Sequence, residues 1–249
     1  MVFFIGAGSG DPELITIKGK KLIDSADVII YAGSLVNEEV LNGRKEGAKV
    51  YNSANMSLED VVEVVKEAHS KGQNVARVHT GDPSIYGAHR EQMIEFAKLG
   101  IEYEIVPGVS SFLAAAASLK REYTLPGVTQ TVIITRMEGR TKVPELESIE
   151  RLSTHNATMA IFLSVGMIEE LQKKLATSYP LTTPVAVVYK ASWEDEEIII
   201  SDLEHIAGKV IEKGITKTAL VLVGEFLNDK FDYSKLYDKK FTHEYREGI

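Results

Sequence analysis

The 249-residue sequence contains no cysteine. That excludes a disulfide framework, a thiolate zinc site and a cysteine nucleophile, and the expected compartment is the reducing cytoplasm. A surplus of positive charge is also missing: 28 Lys and Arg stand against 36 Asp and Glu, a net charge of −8. The imbalance is spread along the chain, with 11 basic and 16 acidic side chains over residues 1–118 and 17 and 20 over the rest. Neutralising a phosphate backbone takes Lys and Arg gathered on one face, so no nucleic-acid partner is expected. Long apolar runs are absent as well. FLAAAASL (112–119) falls far short of a membrane span of roughly 20 residues. MVFFIGAGSG at the N-terminus has no basic region before its short apolar stretch, so neither a targeting segment nor a membrane partner is expected. Gly and Pro, 19 and 7 residues, are too few for a collagen-like or linker chain.

What is present is material for a core. Hydrophobic residues make up 44% of the chain, enough for one or two domains without staples. Short apolar runs alternate with amphipathic stretches. Residues 2–5, 28–31, 48–51, 75–79 and 102–106 read as strands. Between them, 57–71 places Leu58, Val61, Val62, Val65 and Ala68 on one helical face behind a Ser57/Asp60 capping box, and a second helix is expected near 89–99. Strands alternating with helices predict a mostly parallel α/β sheet with right-handed crossovers. The rhythm stops near REYTLPGVTQ. The expected organisation is an N-terminal α/β domain over 1–120, a linker over 121–130, and a C-terminal domain over 131–249 ending in a charged, aromatic-dotted tail. Strands are expected in that second domain at 131–135, 158–163, 185–189, 197–201 and 219–223. The helix VGMIEELQKKLA (165–176) follows, and Ser201 with Glu204 reads as a capping box before LEHIAGKVI. Only seven residues separate 185–189 from 197–201, too few for a helical crossover, so an antiparallel pair and a mixed α/β sheet are predicted.

Three loops follow strands of the first domain. GAGSGDP (6–12) lets backbone approach a ligand, but its spacing is G-x-G-x-G followed by Asp11, where a dinucleotide fingerprint needs Gly or Ala. A tight strand-to-helix turn capped by Asp11 accounts for it better than a dinucleotide site does. No P-loop motif occurs. HTGDPSIYG (79–87) and VPGVSSFLAAAA (106–117) repeat the design, and three such loops on one sheet edge mark a ligand site. None of the six His pairs with another at metal-ligand spacing, so no metal is expected. His79 and His89 flank the second loop, either as substrate contacts or as hydrogen-bonded loop residues. No G-x-S-x-G elbow is present.

Taken together, GAGSGDPELITIKGKKLI, VIIYAGSLVN, HTGDPSIYGAHREQM, VPGVSSFLAAAA, TQTVIITRMEGRT, ATMAIFLSVGMIEEL and VAVVYKASWEDE resemble the tetrapyrrole (corrin/porphyrin) methylases. Within them the chain resembles the branch that methylates ring carbon eleven of (cobalt-)precorrin-4 in cobalamin biosynthesis. YAGSLVN, LPGVTQTVIITRMEGRT and VYKASWEDE carry the narrower likeness, which runs from about Val2 to Arg246. The resemblance implies a two-domain tetrapyrrole-methylase fold, S-adenosylmethionine as cofactor in a cleft between the domains with S-adenosylhomocysteine as product, a precorrin substrate and a homodimer. Carried over position by position, it places cofactor contacts at Ser9, Thr80, Gly81, Asp82, Ile85, Tyr86, Ser110, Ser111, Leu163, Ala191, Thr218 and Ala219. The family usually has Pro where this chain has Ser9.

Methyl transfer of this kind needs an electron-rich carbon held in line with the S–CH₃ bond at roughly 3–3.5 Å, and no covalent enzyme intermediate. The sequence identifies no catalytic base. A precorrin bears many carboxylates, so an acidic enzyme must focus cationic groups locally. His89, Arg90, Arg136 and Arg140 are the candidate substrate contacts, with Lys120, Arg121 and Lys190 as further candidates. Arg136 and Arg140 are preferred because TRMEGRT directly follows a strand, and Arg suits bidentate carboxylate binding. Three alternatives stay open: another regiospecificity or a non-tetrapyrrole substrate such as diphthine, a nicotinamide-dependent oxidoreductase, and a pure binding module.

Overall fold

The structure is a computed structural model that describes residues 1–248, apart from the side chains of Ser34 and Tyr237. The chain forms two compact units. The first comprises Met1–Ala115 with Lys190–Glu196, the second Ala116–Tyr189 with Glu197–Ile249.

In the first unit β1 (Val2–Gly6), β2 (Val28–Tyr31), β3 (Lys49–Asn52), β4 (Val75–His79) and β5 (Tyr103–Val106) form one sheet in the order β3-β2-β4-β1-β5. Every pairing is parallel. Helices α1 (Ile17–Ser25), α2 (Leu58–Ser70), α3 (Arg90–Lys98) and α4 (Ser111–Leu119) complete the alternation. The central strands β1, β2 and β4 are buried on both faces, as their near-continuous apolar runs required. Phe3, Ile5, Ile29, Tyr31, Ala76 and Val78 pack with Ile23 of α1 on one face. Val2, Phe4, Val28, Ile30 and Val75 pack with Val61, Val65 and Ala68 of α2 and Met93 and Phe96 of α3 on the other. The Ser57/Asp60 capping box opens α2 as expected.

The strand order fixes where a ligand can sit. From β1 the chain passes over β4 to reach β2, with α1 on one face. From β4 it passes over β1 to reach β5, with α3 on the opposite face. The carboxyl ends of β1 and β4 are therefore the switch point, where the two outgoing connections diverge and leave a crevice.

In the second unit β6 (Val132–Arg136), β7 (Thr158–Phe162), β8 (Pro184–Tyr189), β9 (Glu197–Asp202) and β10 (Ala219–Val223) form a mixed sheet in the order β6-β7-β10-β8-β9. β6 and β7 are parallel. The β7–β10, β10–β8 and β8–β9 pairs are antiparallel, the last as predicted from its short connection. Met159, Ile161, Val185, Val187, Ile199, Val221 and Val223 face the helices α5 (Ile149–Ser153), α6 (Ile168–Leu175) and α7 (Ile206–Glu212).

Two local expectations need correction. The helix read over 165–176 opens as a 3₁₀ turn, Val165–Met167, before α6. The Ser201/Glu204 capping box does not form, because Ser201 pairs with Val185 in the β8–β9 ladder. Asp202 accepts the His205 N–H at 2.9 Å in the turn before α7, which opens at His205 with no side-chain cap.

Residues 121–130 belong to the second unit. Tyr123 is buried with its ring 5.0 Å from that of Phe226, and its carbonyl accepts the Thr158 hydroxyl. The tail beyond Asn228 leaves Tyr233 and Tyr245 largely exposed. Among the described residues no helix is long and apolar enough to cross a membrane.

Candidate functional site

The three glycine-bearing loops of the first unit meet at the switch point. Gly8 and Gly81 form an antiparallel bridge: the Gly8 N–H donates to Gly81 O at 3.3 Å and the Gly81 N–H to Gly8 O at 2.7 Å. Both have positive φ, +83° and +60°, a region that L side chains rarely adopt. Gly108 of the third loop packs on the same spot. A Cβ there would lie 2.2 Å from Gly81 O and 2.7 Å from Gly6 Cα. Glycine is thus required here by backbone crowding, before any ligand is considered.

Asp82 ties two of these loops together. Its Oδ1 accepts the Ser84 N–H at 2.8 Å and its Oδ2 the Gly108 N–H at 2.9 Å. Burial by itself would raise its pKa, but the Gly108 and Ser84 hydrogen bonds outweigh it and hold the carboxyl below the ordinary value. Ser111 begins α4, with Ser110 buried just before it. Thr80 and Ile85 are half-buried on the second loop and Tyr86 is exposed. Tyr86 and Ala88 have φ of +55° and +47°, marking a tightly wound loop.

Ser9 is 6% exposed and faces the segment Lys190–Glu196. Its hydroxyl lies 2.7 Å from that of Ser192, and its carbonyl accepts the Trp193 indole N–H at 2.9 Å. Ala191 is buried beside them in sequence. Of this segment the sequence singled out Ala191 as a cofactor contact and Lys190 as a further substrate candidate, but neither Ser192 nor Trp193. The available signal for Ser192 and Trp193 was a large aromatic in a hairpin loop of seven residues.

Behind the second loop lies a polar row, of which the sequence singled out His79 and His89 but not the buried Arg77. Arg77 on β4 is 6% exposed, and among the described residues no carboxylate comes within 4.0 Å of it. Its guanidinium donates to Ile30 O at 3.2 Å and to Gln92 Oε1 at 3.1 Å, and burial lowers its pKa to about 10. His79, 3% exposed, is pushed down to about 3, by burial first and then by the charges of Arg77 and His89. Its Nε2 has no hydrogen-bond partner. His79 is therefore a buried, neutral residue of the first unit. His89 is half-buried, its ring 5.3 Å from Phe4 and 5.7 Å from His79. Burial lowers its pKa, with Asp82 pulling the other way. Arg90, the first residue of α3, is exposed.

The second unit places its candidates on one sheet edge. Arg136 pairs with Phe162 at the ends of β6 and β7, and Ala219 pairs with Tyr189 where β10 begins and β8 ends. Leu163 and Thr218 flank these pairs with φ of +53° and +57°. Leu163 is 70% exposed. Such left-handed non-glycine residues are uncommon and gather at functional sites. Arg136 does not present an unengaged fork. Its guanidinium donates to Met137 O at 3.0 Å, Thr141 O at 3.1 Å and Lys142 O at 2.9 Å, wrapping the 137–142 loop around itself. Arg140, within that loop, is exposed.

Comparison with known proteins bears on this arrangement. The sequence profile of the Tetrapyrrole (Corrin/Porphyrin) Methylases matches residues 1–207. The cobalt-precorrin-4 C(11)-methyltransferase of Methanocaldococcus jannaschii is 60% identical over 249 residues, covering 99% of this chain and 96% of that one. The X-ray structure of a cobalt precorrin-4 methyltransferase, CbiF, superposes with a TM-score of 0.89 at 45% identity, covering 91% of this chain and 95% of that one. The uroporphyrin-III C-methyltransferase of Thermus thermophilus, complexed with S-adenosylhomocysteine, superposes with a TM-score of 0.76 at 26% identity, covering 91% and 98%. With its profile matched over most of its length, its parallel and mixed sheets reproduced in that structure, and its glycine loops gathered at the switch point, the chain belongs to the tetrapyrrole methylases.

Proposed function

We propose that the protein is an S-adenosylmethionine-dependent C-methyltransferase acting on ring carbon eleven of (cobalt-)precorrin-4, in cobalamin biosynthesis. Any cobalt belongs to the substrate. The observation that carries the reading is the convergence of Gly8, Gly81, Asp82 and Gly108 at the switch point of a parallel sheet. Full-length similarity to proteins named for this reaction supports the substrate and the regiochemistry.

The donor chemistry of the first unit fits the cofactor. A carboxylate has about four lone-pair sites, so Asp82 retains acceptor capacity beyond its two backbone bonds. Ammonium and ribose hydroxyl groups are the donors such a site takes. Asp82, Thr80, Gly81, Ile85, Tyr86, Ser110, Ser111 and Ala191 are the proposed contacts there, with Leu163, Thr218 and Ala219 from the second unit. When bound, the cofactor supplies a methyl group already activated by the sulfonium.

The protein's own part is orientation. The doubly bonded Asp82 and the glycine backbone fix the loops in advance, so little freedom is lost when a ligand arrives. Cationic side chains, Arg140 and Arg90 first, meet the substrate carboxylates. The protein is proposed to act as a homodimer in the cytoplasm.

The reading is tested by titrating the purified protein calorimetrically with S-adenosylhomocysteine and, separately, with NAD. The expected result is saturable S-adenosylhomocysteine binding that is lost in Asp82→Ala with the fold intact. Turnover with precorrin-4 and its cobalt form should then yield a product one methyl group heavier at ring carbon eleven. Binding of NAD alone overturns the reading. Light scattering on the same sample checks the dimer.

A further inference from the structure

The hairpin segment Lys190–Glu196 grips the glycine-rich loop, and we infer that Ser192 and Trp193 are positioning residues: they latch the Gly8–Ser9–Gly10 stretch in the shape that receives the cofactor. The inference rests on the methyltransferase reading above and assigns the segment a part in it.

The need for a latch follows from composition. Gly8 and Gly10 flank a single side chain, and glycine loses more conformational freedom on ordering than any other residue. On one flank the stretch is held by the Gly8–Gly81 bridge. On the other, three hydrogen bonds converge from residues about 180 positions away in the sequence. The Ser9 and Ser192 hydroxyls lie 2.7 Å apart, the Asp11 N–H donates to Ser192 Oγ at 3.1 Å, and the Trp193 indole N–H donates to Ser9 O at 2.9 Å. The hydroxyl and the carbonyl of Ser9 thus both turn toward the hairpin. The indole also lies flush against Gly10, where an added Cβ would sit 2.3 Å from Trp193 Cδ1.

The latch is braced in turn. Ser192 is held at φ +68° while its N–H donates to Glu196 Oε2 at 2.7 Å. Lys190 pairs with Asp195 and places its ammonium 5.7 Å from the centre of the Trp193 ring. A serine in the left-handed region persists only where its surroundings over-determine it, and such residues gather at ligand clamps. The geometry also gives Ser9 a different part from the one implied by resemblance: its side chain serves the latch, and what it offers a ligand is the backbone that the latch fixes.

Trp193 is the only tryptophan in the chain, so its emission reports on the latch directly. The variants are Gly10→Ala, Trp193→Phe, Ser9→Ala, Ser192→Ala and the Ser9/Ser192 double. Gly208→Ala serves as control, since an added Cβ at Gly208, in α7, meets nothing within 4 Å. Gly10→Ala should expel the indole and red-shift its emission with no ligand present. Each lost hydrogen bond should weaken S-adenosylhomocysteine binding by about fivefold. Ser9→Ala and Ser192→Ala should be non-additive, in thermal midpoint and in affinity, because each removes the same contact. In turnover, Ser192→Ala and Trp193→Phe should raise KM for S-adenosylmethionine and leave kcat unchanged. Wild-type emission and affinity in Gly10→Ala, or strict additivity of the serine pair, overturns the inference. Failure of the wild type to bind S-adenosylhomocysteine overturns the methyltransferase reading and the ligand half of this one. The unliganded emission and the thermal cycle decide the latch by themselves.

Discussion

The Asp82 carboxylate, on the loop after β4, accepts the N–H of Gly108, on the loop after β5, at 2.9 Å. With the Ser84 bond it makes one side chain responsible for the relative placement of two ligand loops. Asp82→Asn keeps one acceptor and turns an NH₂ toward a backbone N–H. Hydrogen bonds to a charged acceptor are worth about 1.5–3 kcal/mol, so a loss of roughly 1–2 kcal/mol in unfolding free energy is expected, measured in urea. S-adenosylhomocysteine affinity should fall at least about tenfold, the equivalent of one such bond. Because the native carboxyl lies below its ordinary value, its stabilisation is present above an unfolded pKa of about 3.9 and is lost as pH falls through the native value. The wild type should therefore lose more of its advantage over Asp82→Asn as pH falls below about 4. A constant gap between the two down to acid pH would contradict this account of Asp82.

His79 sets a second pH dependence at higher pH. Its native pKa is lowered to about 3 by burial and by the Arg77 and His89 charges, whereas in the unfolded chain it titrates near the ordinary histidine value of 6.5. Between those values the unfolded state binds the extra proton, so stability rises with pH across this window and is lost as pH falls from about 6.5. A full proton of difference gives a slope of about 1.4 kcal/mol per pH unit. His79→Gln removes the titrating group. Urea midpoints between pH 4 and 7 should show a shallower slope in the variant, and identical slopes would mean that His79 does not titrate as its burial requires.

Which features were legible follows from their range. The sheets were legible because apolar runs with short or helical connections constrain pairing locally, as in the seven residues between Tyr189 and Glu197 that force β8 and β9 antiparallel. The Ser57/Asp60 box was legible because its partners are three residues apart. The Ser201/Glu204 box had the same local pattern and failed, because ladder pairing with Val185 claimed the serine. The contacts of Arg77 with Gln92 and of Ser192 and Trp193 with Ser9 were not legible, because these partners lie 15, 183 and 184 positions apart in the sequence. At the candidate site, the sequence located the loops and Asp82 but not the contacts among them.

Gly108 offers a test of the crowding at the switch point. An added Cβ would meet Gly81 O at 2.2 Å and Gly6 Cα at 2.7 Å, all backbone, so no side-chain rotation relieves it. Gly108→Ala should destabilise the first unit by more than about 2 kcal/mol or force its loops apart. The control is Gly100→Ala, also on the first unit, where an added Cβ meets nothing and only the φ of +66° is strained. Equal thermal midpoints for the two variants would show that crowding at Gly108 is relieved at no cost.

Arg136 and Arg140 should differ in kind, although both are basic residues of one loop. Arg136 donates to three carbonyls, of Met137, Thr141 and Lys142, a task suited to a planar fork of five N–H donors and not to a single ammonium. Arg140 is exposed within the loop that Arg136 shapes. Arg140→Ala should raise KM for the tetrapyrrole, leave S-adenosylhomocysteine affinity intact and leave the loop folded. Arg136→Ala should also raise that KM, but by releasing the loop, so limited trypsin digestion should cut faster after Arg140 and Lys142. Arg136→Lys should behave like the alanine variant in digestion, because one ammonium cannot span the three carbonyls. If instead Arg136→Ala digests like the wild type while KM rises, Arg136 binds substrate carboxylate directly and its carbonyl contacts do not hold the loop.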